Sequence, residues 1–155
     1  YPELGAPFQP LKLYYVGWSA ARVIAMHEKF LELGLESPFD DAWLERATKQ
    51  LRPFTTAVDV AGYGEIRREA LLAHATQVDP TSPFWFGLPP EVARSVHPVD
   101  EYILARSLVE TPAGDAVRAW AEGGPAEQAS PARAAPAEAV LETDLFSGVR
   151  DLAAR

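Results

Sequence analysis

The chain contains no cysteine, which excludes disulfides and thiolate metal ligands as sources of stability or chemistry. Positive charge is also scarce. Lys plus Arg number 14 against 22 Asp plus Glu, for a formal net charge of −8. Phosphate binding needs concentrated Lys and Arg, so nucleic acid is excluded as an expected partner. No apolar run approaches the roughly eighteen residues of a membrane span, and no signal-like apolar stretch opens the chain at Tyr1. These absences fit a cytoplasmic setting. What remains is 155 residues, 48% apolar, enough for about one domain with a buried core. Arg outnumbers Lys 11 to 3, and Ala and Pro are abundant, as in proteins from GC-rich genomes.

Periodicity organises the chain into alternating strands and helices. Lys12 to Gly17 alternates as a strand with two usable faces, Leu11, Leu13 and Tyr15 against Lys12, Tyr14 and Val16. Ser19 is an N-cap for a helix over 20–33, which carries Val23, Ile24, His27, Phe30 and Leu31 at helical spacing until Gly34 stops it. Asp40 caps a second helix with Trp43, Leu44, Ala47 and Leu51 inward, ended by Pro53. Thr55 to Val60 is β-branched and alternating, hence a strand. A helix follows over 62–77, then the turn-rich aromatic loop Pro83-Phe84-Trp85-Phe86-Gly87. Pro90 opens a short helix to Val96, and Glu101 to Val109 forms the last strand. This order predicts an α/β fold with a parallel-rich sheet. Three strands fall below the usual sheet of about five or six, so the sheet is expected to be completed by further strands. Residues 111–140 change character, with Ala, Pro, Gly and Glu dominating and Trp120 the one large aromatic. They read as a poorly ordered insertion, within which Asp115 could cap a short helical turn.

The helix over 62–77 carries an unusual stripe. Tyr63, Arg67, Ala70, His74 and Gln77 fall at steps of three or four. A core-facing stripe would be Leu, Ile or Val. Small residues beside a guanidinium, an imidazole and a carboxamide instead suit the wall of a polar site.

Five pieces in order resemble one family. Lys12-Leu13-Tyr14-Tyr15, Thr55 to Val60, the helix end His74-Ala75-Thr76-Gln77-Val78-Asp79-Pro80, the strand Asp100 to Ser107 and the closing Glu142-Thr143-Asp144-Leu145-Phe146-Ser147-Gly148 resemble the C-terminal half of mycothiol S-conjugate amidases, within the LmbE-like (PIG-L) zinc deacetylase superfamily. The resemblance implies a Rossmann-like fold. On it, residues 1–110 form the C-terminal half of the catalytic domain, 111–140 an insertion and 141–155 the closing segment. It also implies zinc, held by a His-Pro-Asp-Asp-Glu segment and a later His-Pro-Asp-His segment. Neither occurs here. The zinc is therefore expected on an N-terminal segment lacking from this chain, and that N-terminal fragment is the expected partner. The chain alone is expected to be inactive.

His97-Pro98-Val99-Asp100-Glu101 imitates the metal segment, with His97 and Asp100 at its ligand spacing. Val99, however, stands where the family's general-base carboxylate belongs. The segment also leads into a strand rather than following one, and its neighbours match a region that carries no ligand. A surface-loop histidine is the reading adopted, and no metal ligand is assigned.

No catalytic residue is assigned in this chain. His74 is the candidate for a supporting, proton-handling role at the cleft edge; the competing reading is a histidine fixed by its neighbours to orient its helix. Gln77 is read as a substrate contact, since a carboxamide donates and accepts at once toward sugar or inositol hydroxyls. The alternative is a helix cap. Arg67 is read as a structural ion pair, with a carboxylate of the N-terminal half, before a substrate contact. Phe84, Trp85 and Phe86 either line the pocket for the S-linked group or simply pack against the helix, and both readings stay open. His27 lies on an apolar stripe and reads as a core histidine. The resemblance implies hydrolysis of the amide joining an S-conjugated N-acetylcysteine to glucosaminyl-inositol, a detoxification step of mycothiol metabolism. Two alternatives are carried: a pathway-specific amidase or deacetylase acting on a mycothiol adduct or an N-acetylglucosaminide, and a non-catalytic binding module.

Overall fold

A computed structural model describes residues 2–49, 54–114 and 142–150. Strand β1 spans Lys12–Val16, helix α1 Ala20–Glu32, helix α2 Asp41–Thr48, and strand β2 Thr56–Asp59. After a 3₁₀ turn at Ala61–Tyr63 come helix α3 (Gly64–Ala73), a single turn α4 (Pro83–Phe86), helix α5 (Pro90–Val96) and strand β3 (Val99–Ser107).

The locally coded features form as the sequence dictates. The Ser19 hydroxyl accepts from Arg22 N–H at 3.1 Å and the Asp40 carboxylate from Trp43 N–H at 2.8 Å, so each satisfies an orphan donor at a helix start. Gly34 takes φ +67° just past α1, the left-handed conformation that ends helices cheaply on glycine.

Two expectations need correction. The sheet has the order β1-β3-β2, and both pairings are antiparallel. β1 and β2 do run in one direction, as a strand–helix–strand unit requires, but β3 is inserted between them and runs against both. Local patterning carries no information on which strand occupies that central slot. The closing segment adds one parallel bridge, Thr56 to Glu142, beside β2. The second correction concerns α3, which stops at Ala73 rather than Gln77. His74 has φ −81° and ψ 45°, outside the helical basin. There the chain turns so that Val78 becomes buried, and the Asp79 carboxylate takes Thr81 N–H at 2.8 Å and its hydroxyl at 2.7 Å. That local turn competes with continued helix. The insertion expected at 111–140, Trp120 and Asp115 included, lies outside the described residues except at 111–114.

The core sits among the helices. Val23 and Phe30 of α1, Phe39 and Leu88 form its buried centre, with Trp18, Met26, Trp43, Leu44 and Phe84 packed around it. Rings interlock there: Trp18 stacks on Phe84 at 5.0 Å and 5°, and Phe39 meets Phe30 edge-on at 6.4 Å. Such pairs add to simple burial. Gly87 is required by close approach. A Cβ there would lie 2.5 Å from the Pro83 carbonyl and 2.8 Å from the Phe30 ring, so the aromatic turn fits against the core only with glycine at this position.

A second buried cluster locks the sheet. Glu142 and Lys12 have side-chain exposures of 0% and 4%. The Lys12 ammonium donates to both Glu142 oxygens, at 2.9 and 3.0 Å, and to the Ser147 carbonyl at 3.1 Å. Tyr14 donates its hydroxyl to Glu142 at 2.7 Å, and Thr56 does so at 3.2 Å. Burial alone would raise the Glu142 carboxyl; the hydrogen bonds from Tyr14, Lys12 and Thr111, with the Lys12 charge, outweigh it and hold the group below the usual carboxylate range. Burial first, then the bond to Glu142, pushes the Tyr14 hydroxyl well above its ordinary value. The inward face of β1 is therefore that of Lys12 and Tyr14. Leu13 and Tyr15, on the other face, are about half exposed, and Val16 is 75% exposed.

Candidate functional site

One cavity of about 630 Å³ opens between α1, α3, α4, α5 and the start of β3, a size suited to a small ligand. Its walls are of two kinds. Trp18, Phe84, Trp85 and Phe86 supply an aromatic side, while Arg22, Arg67, Arg68 and Arg94 supply guanidiniums from α1, α3 and α5.

The charged side is built around Asp100 in β3. Arg22 reaches it at 3.4 Å, and Arg67 pairs with its other oxygen. Asp100 and Arg22 are mostly buried, at 17% and 14% side-chain exposure. Burial lowers the Arg22 guanidinium's affinity for its proton and the neighbouring Arg67 adds to this, while Asp100 works against both. Arg22 also lies 4.7 Å over the Trp18 ring, and its Nε is buried without a partner among the described residues. Arg94 pairs with Glu65 at 3.1 Å. Arg68 lies 5.6 Å over the Phe86 ring.

The residues singled out in the sequence divide. Phe84, Trp85 and Phe86 line the cavity. The Phe84–Trp85 edge contact at 4.7 Å and the Trp18–Phe84 stack also tie them to the core, so packing and lining coexist in one turn. Arg67 lines the cavity as well, in an ion pair whose carboxylate, Asp100, comes from this chain. His74 and Gln77 are exposed beyond the end of α3 and do not line it. His27 is half-buried with Nδ1 2.9 Å from the Ser37 hydroxyl. Arg22, Arg68, Arg94 and Trp18 received no site assignment from the sequence. The signal that could have found two of them is the placement of Arg22 one residue before the apolar Val23 and four after Trp18, which sets a cation against an aromatic at the first turn of a helix.

The look-alike metal segment also lies here, since His97 and Asp100 both line the cavity. His97 Nε2 sits 3.1 Å from Glu101. Burial would raise the Glu101 carboxyl, but its bonds with His97 and Ser19 hold it low. Asp100 serves two guanidiniums, which repel a cation. Among the described residues, no three His, Cys, Asp or Glu side chains come together as ligands. These residues do not fit a zinc ion.

Among the described residues, no helix is long and apolar enough to cross a membrane. No family model matches the chain, and no solved structure matches it. Curated proteins do. The chain is 40% identical over 157 aligned residues to a mycothiol S-conjugate amidase from Streptomyces coelicolor, covering 97% of the chain and 44% of that protein. A 1D-myo-inositol 2-acetamido-2-deoxy-alpha-D-glucopyranoside deacetylase from Rhodococcus jostii is 29% identical over 112 residues, 68% of the chain and 36% of the relative. The enzyme of that name from Streptomyces avermitilis is 28% identical over 154 residues, 96% of the chain and 42% of the relative. The chain spans less than half the length of the curated relatives it matches. It is therefore a relative of the mycothiol S-conjugate amidase and, more distantly, of these deacetylases, the group that its five sequence pieces resemble.

Proposed function

We propose that this chain is the substrate-facing portion of a hydrolase that cleaves the amide of mycothiol S-conjugates. The observation that carries the reading is the 40% identity to the Streptomyces coelicolor amidase along almost the whole chain, joined to an aromatic and arginine-lined cavity of ligand size. The cavity takes the S-linked group of the conjugate against Trp85 and Phe86. Zinc would be held by side chains outside the described residues, on the segment that the resemblance places N-terminal to this one. β1 lies at the edge of the sheet and exposes Leu13 and Tyr15 on its outer face, which supports association with further strands of such a segment.

Binding tests the reading directly. Calorimetric titration of the 155-residue chain with a mycothiol S-conjugate carrying an aryl group should show saturable binding. Trp85→Ala should weaken it by roughly 1 kcal/mol, about fivefold, because an exposed ring at the mouth is lost. Identical affinity in the variant would remove the aromatic wall from the account.

A further inference from the structure

The charges around the cavity do not balance. Asp100 serves both Arg22 and Arg67, Glu65 serves Arg94, and among the described residues no carboxylate pairs with Arg68. Four guanidiniums thus line one concave surface with Asp100 and Glu65, Glu101 adds a negative charge near Arg22, and Arg68 is left without a paired carboxylate among the described residues. In a chain whose net charge is −8, this is not a by-product of composition. The excess also sits where it can be used. Arg68 lies over Phe86, a ring of the cavity wall, and the buried Arg22 Nε–H has no acceptor among the described residues. A guanidinium above an aromatic face keeps its in-plane N–H donors free for a carboxylate, and it is less hydrated than an ammonium would be.

We infer that this cavity selects ligand groups that are both aromatic and anionic, an aryl carboxylate being the simplest. The ring lies against Trp85 and Phe86, and Arg68 receives the carboxylate. This inference rests on the reading above only in identifying that group with the S-linked arm of the conjugate; the selectivity itself belongs to the cavity.

The test uses phenylacetate and its uncharged analogue phenylacetamide as probes, titrated into the full chain. Phenylacetate should bind about tenfold more tightly, the increment of one charge-assisted pair. Arg68→Met should bring the two affinities together, whereas Arg68→Lys should keep part of the difference by retaining the charge. Arg68 is exposed, so neither variant threatens the fold. Equal affinities in the unaltered chain, no binding of either probe, or an unchanged ratio in Arg68→Met would each overturn the inference. Charge-blind binding by a chain that still supports hydrolysis of a neutral conjugate would overturn it alone. Charge-selective binding, with no hydrolysis of any conjugate when the chain is combined with zinc and the part of the Streptomyces coelicolor amidase that it does not match, would uphold it and overturn the amidase reading.

Discussion

Glu142→Ala is expected to destabilise the protein by about 3–5 kcal/mol, the scale for removing one partner of a buried ion pair. The substitution strands the Lys12 ammonium at 4% exposure and takes the acceptor from Tyr14 and Thr56 together. A domain stable by about 5–15 kcal/mol loses a large share of its margin in this way. The double variant Lys12→Met with Glu142→Gln should recover most of the loss. The amide still accepts from Tyr14 and Thr56, and no unpaired charge is left inside. Urea unfolding followed by tryptophan fluorescence reads both. A single-variant loss below about 0.5 kcal/mol, the range of an ordinary surface change, would show that the closing segment is not anchored through Glu142.

Two carboxyls, one in this cluster and one beside the cavity, set a pH dependence. The Glu142 and Glu101 carboxyls are held below the ordinary range in the folded state. Through that window the unfolded chain binds more protons, so stability rises with pH. The contribution is full above the unfolded carboxylate value of about 4.3 and is lost as pH falls through the lower folded values. Glu142→Gln should flatten that part of the profile.

The second large effect belongs to the cavity. Asp100→Asn keeps the side-chain shape but removes the charge that holds Arg22 and Arg67 side by side. A loss of about 2–3 kcal/mol is expected, at the lower edge of the buried-pair scale because Arg67 is 38% exposed and partly screened. Adding Arg67→Met should restore part of it, since the two guanidiniums no longer repel. Additive losses in the double variant would mean that the two arginines are not coupled through Asp100.

What was legible in the sequence was what is locally coded. Ser19, Asp40 and Gly34 act within one turn of their own helices, so their types announce the element ends. The strands showed in their alternation, though not their order, because the insertion of β3 between β1 and β2 depends on pairings across forty residues or more. Lys12 and Glu142 each fell within a recognisable piece, yet their contact spans 130 positions, and neither residue type predicts a buried location when taken alone. The spacing of the small and polar residues from His74 to Gln77 suits one more turn of α3, while the turn at Asp79 and the burial of Val78 decide otherwise. The cavity shows the same limit. Phe84, Trp85 and Phe86 announced themselves as adjacent rings, whereas Arg22 and Asp100, 78 residues apart, gave no sign of meeting.

On the function proposed above, this chain supplies the substrate wall of an amide hydrolase whose metal ligands lie outside the described residues. The most direct measurement combines the chain with a second polypeptide, the part of the Streptomyces coelicolor amidase that it does not match, and zinc. Native mass spectrometry registers the complex while release of free amine from a mycothiol S-conjugate is followed. A one-to-one complex is expected, with hydrolysis that requires both polypeptides. Full hydrolysis by the 155 residues alone, or a stable complex with no hydrolysis, would contradict it.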